Sequence, residues 1–239
     1  MNLLMEPFVI VRSFHAAILG MVLVVACAVM AAAADAPIQP QTEKAIEAYA
    51  LKQKTDREAA VDQVVANRMS SLLTDPATLI LGNPQGDVTI VEFFDYTCPF
   101  CKAVEPRLRQ LLTVDKKVRL VVKEFPILQP VSLVATKAAL ASAKQGKYAI
   151  YHQAMMDFRG QLTDETVFGM AKDVGLDVER LRRDMNAPDI AEAILMNFNL
   201  ARALRIFDTP TFIIGNHLVT EPSAKIDFPK EVAALRARK

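Results

Sequence analysis

Cysteine and histidine are both scarce, since the sequence of 239 residues has three of each. A small secreted fold held together by disulfides needs several bridges across long loops, and a structural zinc site needs four Cys or His ligands. Cys98 and Cys101 form one close pair, and the sequence has no second pair. These shortages argue against a disulfide-stapled scaffold and against a resident metal ion.

An excess of basic charge is also missing. The sequence has 28 Lys and Arg against 27 Asp and Glu, which gives a formal net charge of +1. Without a basic stripe, nucleic acid is not an expected partner. Hydrophobic residues make up 52% of the chain, which predicts a packed globular core rather than disorder.

Residues 1–34 have the pattern of a secretory signal peptide. A basic residue precedes an apolar stretch over residues 16–30, and Ala32 and Ala34 are the small residues before a cleavage site. Two alternatives stay open: the stretch LVVAC resembles a bacterial lipobox that would carry a lipid on Cys27, or the segment stays as an uncleaved membrane anchor. All three predict export of the remaining chain, with the bacterial periplasm as its compartment.

Residues 35–75 are predicted to form an N-terminal helical extension. Residues 41–73 contain neither Gly nor Pro, and an apolar stripe at helical spacing includes Val65, Met69 and Leu72. This stripe fits two arrangements. The helix either packs on the following domain or forms a stalk through which residues 41–73 join copies of the chain in a homo-oligomer.

The remaining residues, 76–239, have the order of elements that is typical of an α/β domain. Apolar runs predict strands over residues 77–84, 88–94 and 117–125, and strands return in the stretch TPTFIIGNHLV. Helical patterns fill about residues 127–205. We therefore expect a helical insertion inside a sheet domain.

The segment DYTCPFCK, residues 95–102, holds the cysteine pair directly after a buried strand. A bridge across two residues removes little chain entropy, so we interpret the pair as a redox dithiol. Pro99 suits the first position of a helix, and the unpaired N–H groups and dipole at a helix N-terminus favour a thiolate on Cys98. Cys98 is therefore the predicted nucleophile, and Cys101 is predicted to resolve the mixed disulfide.

Other candidate residues lie on the predicted strands. Glu92 follows apolar residues, and as a buried carboxylate it would accept a proton from Cys101; the alternative is a Glu at a solvent-exposed edge. Lys123 ends the neighbouring strand and is a candidate partner for Glu92. Thr209 and Pro210 precede the strand TFIIG, where the proline is either an edge residue or part of a cis peptide bond.

The motifs VEFFDYTCPFCK, VRLVVKEFPIL and DTPTFIIG together resemble those of the DsbA-like thiol:disulfide oxidoreductases. The resemblance covers residues 79–219 and implies a thioredoxin fold with an inserted helical domain. It implies that Cys98 attacks and that Cys101 is its partner in a redox-active disulfide.

The same resemblance assigns the supporting residues. Glu92 falls on the buried acid of these folds, and Lys123 falls on a lysine often paired with it. Thr209 and Pro210 fall on the cis-proline loop that faces the disulfide and holds substrate chains.

Two residues depart from the strong oxidant of that family. Phe100 stands between the cysteines where the oxidant has His, and Thr209 stands before the cis-proline where it has Val. Both departures leave the direction of electron flow, oxidase or isomerase, open. The N-terminal extension resembles, in architecture, that of the periplasmic copper-sensitivity suppressor C proteins.

The resemblance therefore implies an exported oxidoreductase that exchanges disulfides with unfolded or cysteine-containing exported proteins. A membrane redox partner would reset the cysteine pair. Because the protein itself carries the disulfide, no dissociable cofactor is expected. A second hypothesis is a periplasmic copper-binding or chaperone protein that uses the same two thiols.

Overall fold

A computed structural model describes residues 40–73, 78–219 and 221–238. The predicted signal peptide, including Cys27, lies outside these residues. Within the described ranges, no helix is both long enough and apolar enough to cross a bilayer. The described chain divides after Thr55 into two units.

The helices and strands follow one another in the predicted order. The strands are β1 (Leu79–Gly82), β2 (Val88–Phe94), β3 (Val118–Glu124), β4 (Thr211–Ile214) and β5 (His217–Val219). The α-helices are α1 (Pro40–Leu73), α2 (Pro99–Val114), α3 (Pro130–Ser142), α4 (Tyr148–Asp157), α5 (Asp164–Asp173), α6 (Val178–Asp184), α7 (Pro188–Ala203) and α8 (Phe228–Ala237). The helices α3 to α7 follow β3 and precede β4, which confirms the helical insertion.

The strands form one sheet in the order β1-β3-β2-β4-β5. The strands β2 and β3 run parallel, and the other neighbouring pairs are antiparallel. All seven residues of β2 are buried, because this strand is central and both of its faces are covered. Burying a side chain such as Phe93 or Phe94 contributes about 1.5–3 kcal/mol to stability.

Successive side chains of β2 point to opposite faces of the sheet. Ile90 and Phe94 lie in a hydrophobic cluster with α2, α8 and much of the helical insertion. Val91 and Phe93 lie in a second cluster, which includes residues of α1 and the end of α7. The sheet therefore separates two apolar layers.

The part of α1 that belongs to the unit 56–239 packs on the second of these layers. Val65 and Leu72 have no exposed surface, as the apolar stripe predicts for a helix that lies on the domain. Asp62 accepts a hydrogen bond from the Leu218 N–H at 3.1 Å, and its carboxylate lies 2.9 Å from His217 Nδ1. These polar contacts join this part of α1 to the edge strand β5.

Residues 40–55 of α1 belong to the other unit. Their described side chains are exposed, among them Ile46 at 56%, Tyr49 at 66% and Leu51 at 64%. Large apolar side chains thus remain in contact with solvent in this segment of the chain.

Candidate active site

Cys98 lies where the buried strand β2 gives way to α2. The helix begins at Pro99, as predicted, so Cys98 occupies the N-cap position. Its Sγ accepts a hydrogen bond from the backbone N–H of Cys101 at 3.4 Å, which is the contact that N-cap side chains make. The sulfur therefore faces the unpaired N–H groups of the first helical turn.

Asp95 fixes the turn before the first cysteine. Its buried carboxylate accepts hydrogen bonds from the backbone N–H and the hydroxyl of Thr97, at 2.7 and 2.8 Å. It also accepts from the Ser132 hydroxyl at 2.7 Å and from the N–H groups of Ile127 and Leu128 at 2.9 and 3.0 Å. Because these partners lie after β3 and in α3, one side chain holds the start of α2 against the insertion.

The surroundings lower the pKa of Cys98 from 9.0 to about 6. The largest cause is a hydrogen bond with the Cys101 side chain, which outweighs the opposing effect of burial. A hydrogen bond with Thr209 lowers the pKa further, and so do the backbone N–H groups of Cys101 and Phe100. The direction is the one predicted from the helix N-terminus, but the partner cysteine is the largest contributor.

Cys101 lies one turn further along α2 and has no exposed surface. Burial is the main cause that raises its pKa, and the hydrogen bond to Cys98 and the charge of Glu92 raise it further. Because of these pKa values, Cys98 is a thiolate at neutral pH and Cys101 keeps its proton. The thiolate is the reactive form of cysteine.

Glu92 lies in the central strand and has no exposed surface. It shares a face of β2 with Phe94, which packs in the cluster that contains both cysteines. The alternative of a solvent-exposed edge is therefore wrong. Burial raises the pKa of Glu92 well above 4.5, and the charges of Glu105 and Cys98 raise it further.

Glu105 is a second buried carboxylate, which the sequence analysis missed. It is 4% exposed, lies on α2 one turn after Cys101, and has a pKa raised by burial to about 7. Its position could have been read from helical spacing, because it falls on the buried side of α2 with Cys101 and Leu108.

The predicted pairing of Lys123 with Glu92 is wrong. The parallel register places Lys123 opposite Phe93, and Glu92 opposite Val122. Consecutive residues of a strand point to opposite faces, so Glu92 and Lys123 lie on different faces of the sheet. The ammonium of Lys123 instead donates a hydrogen bond to Thr78 Oγ1 at 2.9 Å.

Thr209 and Pro210 lie beside the first cysteine. The peptide bond between them is cis, which confirms the cis alternative of the sequence analysis. Sγ of Cys98 lies 3.2 Å from the carbonyl oxygen of Thr209, to which the thiol donates a hydrogen bond when it is protonated. The structure therefore brings together two distant segments of the chain, since this contact joins residues that are 111 positions apart.

Two exposed aromatic rings belong to these segments. Phe100, between the cysteines, is 65% exposed, and Phe207, shortly before the cis peptide, is 74% exposed. Phe94 has no exposed surface and belongs to the core. The sequence analysis did not identify Phe207, because an aromatic residue in a loop has no periodicity that marks it.

A buried polar cluster joins the sheet to the insertion. Glu124, at the end of β3, accepts hydrogen bonds from the hydroxyls of Tyr96 and Tyr148, each at 3.0 Å, and of Thr136 at 2.9 Å. The Tyr96 hydroxyl lies 2.9 Å from His152 Nδ1. Burial raises the pKa of Glu124 to about 8 and lowers that of His152 to about 3. No local pattern predicts this cluster, because its members are distant in sequence.

Among the described residues, no group of three or more His, Cys, Asp or Glu side chains could hold a metal ion. Met155 and Met156 have no exposed surface and fill the core. The described site holds two thiols of opposite acidity beside a buried acid.

A family model described as Thioredoxin matches residues 74–232. The chain is similar to a thioredoxin-like oxidoreductase from Silicibacter pomeroyi, with 40% identity, coverage of 70% of this chain and 97% of that one, and a TM-score of 0.66. It is also similar to the thiol-disulfide exchange protein alpha-DsbA2 from Wolbachia pipientis, with 29% identity, coverage of 75% and 98%, and a TM-score of 0.67.

Part of the chain is also similar to part of an antiporter. The chain is 31% identical over 138 residues to a Na⁺/H⁺ antiporter NhaA 1 from Salinispora arenicola, which covers 57% of this chain and 21% of that protein. The chain thus spans about a fifth of the length of the first curated relatives that it matches. Because the thioredoxin model covers more than half of the sequence, and the fold and cysteine site agree with it, the chain belongs to the thioredoxin family.

Proposed function

We propose that this chain is a protein thiol:disulfide oxidoreductase that exchanges disulfides between its Cys98–Cys101 pair and cysteine-containing polypeptides. The observation that carries the proposal is the contrast between the thiols, since the pKa of Cys98 is about 6 and that of buried Cys101 is raised. One sulfur is ready to attack or to leave as a thiolate, and the other stays protonated beside it. The similarity to a thioredoxin-like oxidoreductase and to a thiol-disulfide exchange protein supports the same reaction.

In the direction that oxidises a substrate, a substrate thiolate attacks Sγ of Cys98 and breaks the bond to Cys101. The electron pair of that bond leaves on Cys101, which takes up a proton because its pKa is raised. A second substrate thiolate then attacks the substrate sulfur of the mixed disulfide, and Cys98 leaves as a thiolate. The substrate dithiol has lost two electrons to the cysteine pair, and the reverse steps reduce a substrate disulfide.

Glu92 supplies and receives the proton of Cys101 in this proposal. It is buried on the same layer as the cysteines, and its charge raises the pKa of Cys101. Burial raises its own pKa well above 4.5, so it holds a proton more readily than an exposed carboxylate does. It gives its proton to Cys101 as the disulfide opens and takes it back as the disulfide closes.

The substrate chain lies along Thr209 and Pro210 in this proposal. Since the Thr209 carbonyl is 3.2 Å from Cys98 Sγ, a polypeptide joined to Cys98 passes next to it. The exposed rings of Phe100 and Phe207 favour apolar stretches, which unfolded chains present.

Export and assembly are further parts of the proposal. Residues 1–34 direct the chain to the periplasm, where a membrane redox partner resets the cysteine pair. The exposed apolar side chains of residues 40–55 support self-association through residues 41–73. Sedimentation velocity tests the assembly, since a monomer at every concentration would contradict it.

The activity is tested by measuring insulin reduction and the oxidation of reduced ribonuclease with wild type, Cys98→Ala and Cys101→Ala. We expect Cys98→Ala to lose both activities and Cys101→Ala to accumulate mixed disulfides, because its second thiol is missing. The ratio of ribonuclease oxidation to the refolding of scrambled ribonuclease then separates an oxidase from an isomerase. Full activity of Cys98→Ala in both assays would contradict the proposal.

A further inference from the structure

A cavity of about 390 Å³ lies beside the cysteine pair. Thr97 and Pro99, the two chain neighbours of Cys98, form part of its wall. Cys98 does not line the cavity, but it stands in the sequence between these two lining residues, so the cavity wall begins one residue away from it on either side. Part of the remaining wall is the segment after α4, which includes Phe158 and Leu162.

The charges that line this cavity are of one sign. Lys102 and Arg159 line it, and none of its lining residues is Asp or Glu. The ammonium of Lys102 donates hydrogen bonds to the carbonyls of Met155 and Phe158 at 2.6 and 2.8 Å, and Arg159 donates to the Met156 carbonyl at 2.7 Å. These neutral acceptors hold the cations in place without cancelling their charge.

Asp157 is the carboxylate nearest to Arg159 along the chain, and its charge offsets the cations only in part. Asp157 forms a two-pronged ion pair with Arg109, at 2.7 and 3.0 Å. Burial, followed by the positive charge of Arg159, lowers the pKa of Lys102 to about 8. The cavity lining therefore carries a surplus of positive charge near the start of α2.

We propose that this cavity binds an acidic side chain of the substrate polypeptide, within a few residues of the cysteine that joins Cys98. The inference rests on the proposed function. An extended chain rises about 3.3 Å per residue, so a neighbouring substrate residue reaches a cavity that begins at Thr97 and Pro99. Phe158 covers the methylene groups of such a side chain, and the guanidinium of Arg159 matches a carboxylate in shape and charge.

The test uses symmetric disulfide-linked peptide dimers, in which one Glu is moved from three residues before the cysteine to three residues after it. Each dimer has a matched dimer with Gln in the same place. The reduced full-length protein converts each dimer to two peptide thiols while its own cysteines become a disulfide. The second-order rate constant is measured for wild type, Arg159→Gln and Lys102→Gln, with Lys172→Gln as the control that removes an exposed positive charge elsewhere.

At one or more positions we expect the Glu dimer to react about three- to fivefold faster than its Gln partner, the size that a few favourable ion contacts give. Arg159→Gln should bring this ratio below about twofold, and Lys172→Gln should leave it unchanged. Lys102→Gln should act as Arg159→Gln does, with circular dichroism to show that the fold is kept.

Equal rates for Glu and Gln at every position would overturn the inference alone, since exchange itself still occurs. An equal preference in Arg159→Gln and Lys172→Gln would also overturn it. If the protein reduced none of the dimers, the proposed function would fail together with it.

Discussion

The low pKa of Cys98 has an origin that replacement of Cys101 can test. In Cys101→Ala, the side-chain hydrogen bond that lowers this pKa most is lost, whereas the backbone N–H groups of the first turn of α2 remain. A hydrogen bond to a charged group contributes about 1.5–3 kcal/mol, and about 1.36 kcal/mol corresponds to a tenfold change in proton affinity. We therefore expect the titration midpoint of Cys98 to rise by about one to two pH units in the variant.

The measurement is the ultraviolet absorbance of the thiolate as a function of pH, together with the rate of alkylation by iodoacetamide. At pH 6 about half of wild-type Cys98 is thiolate, whereas about 1–10% should be in the variant. A thiolate of higher pKa is also a stronger nucleophile. The variant should thus react more slowly than wild type at pH 6 and faster at high pH, so the two profiles cross.

Cys101→Ser is the matched control, because its hydroxyl keeps a donor at the same place. Its midpoint should lie closer to that of wild type than to that of Cys101→Ala. If Cys101→Ala titrated as wild type does, the helix N-terminus and Thr209 would set the pKa without the partner thiol, and the reasoning from that thiol would be refuted.

Two further predictions concern the buried carboxylates. Glu92→Gln removes the proton carrier but keeps its size, so closure of the mixed disulfide by Cys101 should slow at least about tenfold in quenched-flow measurements; an unchanged rate would exclude Glu92 from proton transfer. The pKa of Glu105 is about 7 in the folded protein, against 4.5 for an unperturbed Glu. Protonated Glu105 therefore favours the folded state below pH 4.5, and this contribution to stability is lost as the pH rises through 7. In urea titrations, Glu105→Gln should flatten the fall of the unfolding free energy between these pH values by up to about 3 kcal/mol, whereas exposed Glu192→Gln should not.

The elements of the fold could largely be predicted from local patterns. The strand over Val88–Phe94 has an apolar run that matches its central place in the sheet, and Pro99 marks the start of α2. These predictions succeeded because hydrophobic runs and helix-start residues act over a few positions. The residues themselves left Pro210 open between an edge position and a cis bond, and only the resemblance favoured the cis form, which the structure has.

Features that depend on register or on distant partners were not predictable in the same way. The predicted pairing of Lys123 with Glu92 was wrong because it depends on which residue of β3 lies opposite which residue of β2. A shift by one position changes the face on which a side chain lies, and no local pattern fixes that register. The cluster around Glu124 likewise joins residues separated by 12 to 56 positions.

The residue between the cysteines acquires a physical meaning from the origin of the low pKa. A His at that position would offer ring N–H donors to the Cys98 thiolate, whereas the side chain of Phe100 offers none and is 65% exposed. Phe100 contributes only its backbone N–H, so the Cys101 thiol has become the largest stabiliser of the thiolate. That donor exists only in the reduced protein, because the disulfide removes its proton. The hydrogen bond from Cys101 therefore stabilises the reduced form and makes the cysteine pair a stronger oxidant. A substitution at Phe100 that adds a hydrogen-bond donor would increase this oxidising strength.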